Sequence, residues 1–287
     1  MRIMKQQPEP KGHISSVCTP STFHWTWKDW CKIPMLVLVL NVLCCSFCKA
    51  SDDEKSLRGW TPAAVVNDES VKTFGIDSCF KASPISDAIF SRMQGKSYKK
   101  DCTIPRSALR YLHVLHRNVE GRTQLGELVC NADIADDLLE IFRQLYQYGY
   151  KIERMVLIDE YDADDERSMA ANNTSCFNFR VVSGTKKLSK HAQGLAIDIN
   201  PLYNPYLHLG TGQVEPANAK AYASNRSKLT NTKVPIIDKQ DLCYKLFIQH
   251  GYAWGGNWMS VKDYQHFEKS KQILTTIKNK LPFKSKK

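Results

Sequence analysis

Arg180, His191 with Asp198, and Asp263 with His266 lie in three separated stretches and are of types that a bland fold does not require. In Ser189-Lys190-His191-Ala192-Gln193-Gly194-Leu195-Ala196-Ile197-Asp198, strand alternation puts Ile197 and Ile199 on one face and Asp198 on the other. A carboxylate at the centre of an apolar β-rich run is costly to bury unless it is paired or binds a metal. Gly194 is expected to let the His191 loop approach that strand closely. Downstream, Trp254-Gly255-Gly256-Asn257-Trp258 precedes Asp263-Tyr264-Gln265-His266-Phe267-Glu268. The three-residue spacing sets Asp263 and His266 on one side only if the backbone turns between them.

Two neutral imidazoles and a carboxylate form a three-ligand set for Zn²⁺ with a fourth position open to water, as a catalytic site needs. Zinc lowers the pKa of bound water towards about 7, and a nearby carboxylate that does not bind the metal can then take its proton. Asp263 is the candidate base, with Glu268 as its main rival unless Glu268 pairs with a Lys or Arg. Arg180, on a run leading into the His191 segment, is placed to stabilise a tetrahedral oxyanion. These parts describe the hydrolysis of an amide.

Residues 51–100 are weakly patterned, with only Ile85 to Met93 looking helical, and read as a lead-in over the body. Leu109 to Leu115 is a strand. An amphipathic helix follows Gly126, with Asn131 as N-cap, Ile134, Leu138, Ile141, Phe142 and Leu145 inward, and Gly149 as a stop. Met155–Ile158, Cys176–Val182 and Ala196–Ile199 read as strands, and Asp162–Asn173 as a loop or brief helix. Ile236 to His250 reads as a helix, with short strands at Tyr252–Trp254 and Gln265–Phe267. Strands bunched late and out of strict alternation with two main helices indicate α+β with a central, mainly antiparallel sheet flanked by helices.

At this level the chain resembles a known family: the zinc D-alanyl-D-alanine carboxypeptidases of VanY type, related to D-Ala-D-Ala dipeptidases and phage L-alanyl-D-glutamate endopeptidases. The signature S-x-H-x-x-G-x-A-x-D runs unbroken from Ser189 to Asp198, followed by W-G-G-x-W and D-x-x-H-F. The resemblance covers about Phe177 to Glu268. It implies zinc ligands His191, Asp198 and His266, Asp263 as base where many members carry Glu, and Arg180 as the transition-state arginine. It also implies a hedgehog-like α+β fold and a peptidoglycan stem peptide as substrate. The amino-terminal signalling domain of hedgehog proteins shares that fold with a zinc site that need not be catalytic. The alternative function is therefore a non-catalytic, zinc-containing module that binds the cell envelope.

The chain has 287 residues, 43% hydrophobic and 24% charged, which excludes a disordered chain, a coiled coil and a polytopic membrane protein. Its net charge of +11 lies at the two ends: residues 51–268 balance 27 Lys and Arg against 27 acids. The neutral body argues against a nucleic-acid binder, and the basic tail, 269–287, reads as a solvated end with a capacity for envelope contact. Met35 to Phe47 matches the apolar core of a signal peptide and is too short to span a bilayer comfortably. Residues 1–50 are therefore read as a leader, 101–268 as the peptidase domain, and the protein as exported to the periplasm or envelope; a lipid anchor fits poorly.

Of ten cysteines, Cys79, Cys102, Cys130, Cys176 and Cys243 remain after the leader, an odd number that leaves at least one free thiol. His113 and His116 point to opposite strand faces and are not read as a metal pair. His208 and His250 read as surface or helix-end residues. Trp254 and Trp258 are expected either in the core or along a substrate groove, and Tyr203 and Tyr206 near the cleft. Asn172-Asn173-Thr174 matches a glycosylation sequon.

Overall fold

The computed structural model describes residues 49–182, 185–224, 226–229 and 234–269. The leader through Cys48, with its apolar run and five cysteines, and the basic tail beyond Lys269 lie outside the described residues.

Four antiparallel strands make the frame. They are β1 (Val65–Val66), β2 (Lys81–Pro84), β3 (Leu109–Arg117) and β4 (Thr123–Asn131), in the order β1-β4-β3-β2. β3 and β4 pair over their full length, from Leu109↔Asn131 to Arg117↔Thr123. Asn118 closes their turn by accepting hydrogen bonds from the N–H groups of Glu120 and Arg122. β3 is the strand expected from sequence, whereas β4 occupies residues that include the start of the expected helix. Its pattern hides it because both faces are covered: Leu128 and Cys130 enter the main core while Val129 packs with Leu109, Tyr111 and Phe177. A strand buried on both faces loses the alternation that would reveal it.

Asn131 caps as expected, accepting from the Asp133 N–H, but it caps a 3₁₀ turn, Ala132–Ile134. The helix proper is Ala135–Gln147, with Leu138, Ile141, Phe142 and Leu145 buried against the sheet. The segment read as a lead-in supplies Leu57, Trp60, Val66, Val71, Cys79 and Phe80 to the same core. Met155–Ile158 is no strand: the Asn173 side chain takes both the N–H and the C=O of Val156, so the backbone partners that a ladder would supply are replaced. Cys176–Val182 likewise forms no regular strand and, among the described residues, makes a single isolated bridge, Val181 to Leu188. The late helix is shorter than expected, Leu242–Gln249, because Asp241 caps it through the Cys243 and Tyr244 N–H groups.

Two small sheets carry the C-terminal half. β5 (Ala196–Asp198), β8 (Ala253–Trp254) and β10 (His266–Glu268) form one, in the order β5-β10-β8. β6 (Tyr206–His208), β7 (Val214–Glu215) and β9 (Val261–Asp263) form the other, in the order β7-β6-β9. Among the described residues, every strand pairing within the three sheets is antiparallel. The fold class is α+β, with the expected central sheet divided into three. All five cysteines of the body are free thiols. Among the described residues, no helix is long and apolar enough to cross a membrane.

A buried carboxylate ties the first sheet to its surroundings. Glu127 on β4 accepts from both terminal nitrogens of Arg92, at 2.8 and 2.5 Å, and from the Tyr111 hydroxyl at 2.6 Å. Its side chain is fully buried. A bidentate guanidinium is what makes such burial tolerable. Arg92→Met should therefore cost about 3–5 kcal/mol by stranding the Glu127 charge, read as a lowered urea midpoint with an unchanged slope.

Candidate metal centre

Sheet register delivers two of the three expected ligands. His266 stands directly opposite Asp198 in the β10–β5 pair, so their side chains share a face. Alternation then sends Phe267 the other way, opposite Ile197 and Trp254 and into the core, and returns Glu268 to the His266 face. His191 comes from the 3₁₀ turn His191–Gln193, where Ser189 Oγ accepts from the His191 N–H at 3.1 Å. Gly194 ends that turn at φ +64°. Its close approach is to β4 and not to the Asp198 strand: a Cβ there would lie 2.6 Å from the Asn131 nitrogen, which instead donates to the Gly194 carbonyl. The Ser175 and Asp198 backbones exchange both hydrogen bonds, fixing the third side of the site.

His191, Asp198 and His266 are all buried, and one donor atom from each lies within 4.8 Å of the others. His191 Nε2 is 3.2 Å from His266 Nδ1 and 3.2 Å from Asp198 Oδ2; His266 Nδ1 is 3.0 Å from Asp198 Oδ1. The outer nitrogens are already committed. His191 Nδ1 lies 2.6 Å from the Cys176 carbonyl, and His266 Nε2 lies 3.2 Å from Glu268 Oε2. Each of those acceptors requires an N–H, which assigns the proton of each neutral ring to its outer nitrogen. Two imidazole lone pairs and a carboxylate then converge on one point.

With both rings neutral, such an arrangement calls for positive charge at the meeting point. Donor separations of 3.0 to 3.2 Å match the edge of about 3.3 Å that tetrahedral ligands at about 2.0 Å define. The residues therefore fit a divalent ion with a nitrogen and oxygen donor set. The chain's own electrostatics show the same demand for positive charge. Burial alone would lower the His266 pKa, but hydrogen bonds to Asp198 and Glu268 carry it up to about 10. Burial works to raise Asp198, yet the charge and hydrogen bonds of His191 and His266 outweigh it and hold the carboxyl below its ordinary range.

Asp263 ends β9 and His266 begins β10, so the required turn between them falls at Tyr264 and Gln265. Asp263 Oδ1 is shut off from solvent and, among the described residues, has no hydrogen-bond partner. Burial pushes this carboxyl up to about 7, aided by Asp198 and opposed by the two imidazoles. The glycines of W-G-G-x-W are explained by this neighbourhood. A Cβ on Gly255 would sit 2.6 Å from the Asp263 carbonyl oxygen, 2.7 Å from the Asp263 Cβ and 3.3 Å from the His266 Cβ. One on Gly256 would collide with the Trp254 ring. The two tryptophans divide their duties: Trp254 is buried against Phe267 and Tyr244, while half-buried Trp258 has its ring 5.3 Å from that of His266.

Arg180 is held in an ion pair with Asp165, and its carbonyl accepts from the Ser189 N–H, two residues before His191. Among the described residues Glu268 forms a salt bridge with His266 and none with a Lys or Arg, so it supports a ring nitrogen. Tyr206 stands opposite Asp263 in the β6–β9 pair, close to the site as expected, whereas Tyr203 donates to Glu153 at 2.5 Å. His113 stacks on Trp60 and His116 bonds the Ile152 carbonyl, so they form no pair. His250 caps the late helix and contacts Asp137. The sequon is closed to modification: Asn172 is fully buried and donates to Glu153.

The Cys176 carbonyl and Asp165 carry no sequence signal, because one is a backbone atom and the other lies in an acidic surface run. Glu268 was visible, and period-two alternation from His266 would have assigned its partner. Glu268→Ala should weaken Zn²⁺ binding about 10- to 100-fold by freeing the His266 ring, measured by competition with a chromogenic chelator.

Residues 183–269 match the family model described as D-alanyl-D-alanine carboxypeptidase, a segment that contains His191, Asp198, Asp263 and His266 and leaves Arg180 outside. No curated protein and no solved structure matches the chain. The match supports kinship of this segment with that peptidase family.

Proposed function

We propose that the protein is a zinc-dependent peptidase that hydrolyses a bond in peptidoglycan stem peptides, as a D,D-carboxypeptidase or an endopeptidase. The observation that carries this reading is the convergence of His191 Nε2, His266 Nδ1 and the Asp198 carboxylate beside the unpartnered Asp263 Oδ1. The match of residues 183–269 to a D-alanyl-D-alanine carboxypeptidase family supplies the substrate class. Because that polymer lies outside the cytoplasm, the reading includes export to the periplasm or envelope.

His191, Asp198 and His266 would hold the ion. Zn²⁺ bound there supplies Lewis acidity, which acidifies water and polarises a peptide carbonyl. Asp263 Oδ1, left without a hydrogen-bond partner among the described residues, would accept the proton of the attacking water and pass it to the leaving amine. Cys176 and Glu268 hold the two rings in the tautomers that leave their inner nitrogens unprotonated. Arg180, released from or shared with Asp165, would face the oxyanion. Trp258, beside His266, offers an apolar wall for a substrate.

Incubation with purified muropeptides and mass spectrometry of the products identifies the bond. Asp263→Asn should lower turnover roughly 10²- to 10⁴-fold with Zn²⁺ content unchanged; loss of the metal with the activity would make Asp263 a ligand. Cell-wall binding by the zinc-loaded protein without released peptide would favour the envelope-binding module instead.

A further inference from the structure

We propose that Arg226 is a positioning residue for the Asp263–His266 segment and acts through the face of Tyr264. This rests on the reading of the centre as a metal site. Arg226 lies in the short helix Arg226–Leu229, within the stretch between β5 and the late helix that carries no motif. Its Nη1 donates to the carbonyls of Tyr203 and Tyr222 at 3.0 and 3.1 Å. Its Nη2 donates to Asn204 Oδ1 and to the Ile237 carbonyl at 2.9 and 3.1 Å. The guanidinium carbon stands 3.9 Å from the centre of the Tyr264 ring.

All four hydrogen-bond acceptors are neutral, and among the described residues no carboxylate forms an ion pair with Arg226. A largely desolvated cation without a contacting carboxylate is expensive to keep; Asp238 helps through space, and the negative face of the Tyr264 ring is the compensation in direct contact. That ring belongs to the residue between Asp263 and Gln265. Its backbone is held as well: the Tyr264 carbonyl accepts from Trp254 Nε1 at 2.9 Å and its N–H donates to the Pro205 carbonyl at 3.4 Å. Among the described residues Asp263 Oδ1 has no hydrogen-bond partner, while the Gln265 side chain bonds the carboxylate. The direction of the carboxylate therefore depends on Gln265 and on the main chain, which the close packing of Gly255 and the Arg226–Tyr264 stack both constrain. Asn204 completes the link by accepting from both Arg226 and the Ile237 N–H at 2.7 Å. The motif-free stretch is thereby coupled to the base and to one metal-facing imidazole.

The test uses the full chain and measures Zn²⁺ affinity by competition with a chromogenic chelator, alongside thermal melting of the metal-free protein. Arg226→Gln and Tyr264→Leu should each weaken Zn²⁺ binding about 10- to 100-fold, and the double variant should lose no more than the worse single one. Tyr264→Phe, which keeps the aromatic face, should bind near the wild-type affinity. If Arg226→Gln does not fold, Tyr264→Leu decides, since it leaves the four hydrogen bonds of Arg226 in place. Lower melting temperatures with wild-type Zn²⁺ affinity in Tyr264→Leu, or additive losses in the double variant, would overturn the proposal. A wild-type chain that binds no Zn²⁺ would instead overturn the metal-site reading on which it rests.

Discussion

Three electron-pair donors are forced together in a largely buried place, and much of the C-terminal half is arranged to keep them there. With both rings neutral, His191 Nε2, His266 Nδ1 and Asp198 would repel one another, and in the metal-free chain an added proton on His266 answers that repulsion. Each outer ring nitrogen is occupied by an acceptor, so the rings cannot relieve the repulsion by moving a proton from the outer to the inner position. A cation at the meeting point turns that repulsion into attraction. The upward pull on the His266 pKa and the downward pull on that of Asp198 express the same field in the language of protons.

Holding such a centre requires backbone that does not give. β10 uses its alternation for this purpose: Phe267 is locked between Ile197, Trp254 and Phe247 while His266 and Glu268 face the site. A one-residue slip would place both imidazole and carboxylate in the core, a cost large enough to pin the register. The His191 turn is anchored elsewhere, on the end of β4, through the close approach of Gly194 to Asn131. β4 is in turn bound to Arg92 through Glu127. The N-terminal segments thus serve the centre by fixing the frame against which its turn is set.

Asp263 is held more lightly than the ligands, with the Gln265 side chain bonding its carboxylate. Its Oδ1 lacks a partner, an uncommon state for a buried oxygen and one that suits a group whose task is to accept a proton. The surrounding geometry is accordingly steric: two glycines that leave no room for a Cβ, a tryptophan buried beneath, and Tyr264 held over a cation. Such packing constrains direction without consuming the lone pairs that chemistry needs.

Much of this centre is legible in the chain itself. The Ser189–Asp198 run, the paired glycines and the D-x-x-H-F stretch name their side chains because each position has a local reason: a capping hydroxyl, a left-handed turn end, an alternating strand. β3, β5, β8 and β10 and the long helix are readable for the same reason, since their periodicity survives in sequence. β4, the loss of regular strand at Met155–Ile158, and the membership of Leu57 to Phe80 in the core are not, because they depend on surfaces supplied by distant segments. The ring tautomers rest on a backbone carbonyl and an alternate-position glutamate, the Arg180 pairing on an acid in an unpatterned loop, and the Tyr264 stack on an arginine without a motif. Sequence determines which groups can donate electron pairs and how the chain alternates locally. Only the folded chain decides which neighbours occupy the remaining atoms of those groups, because hydrogen bonds and packing act through space between residues that the sequence leaves far apart.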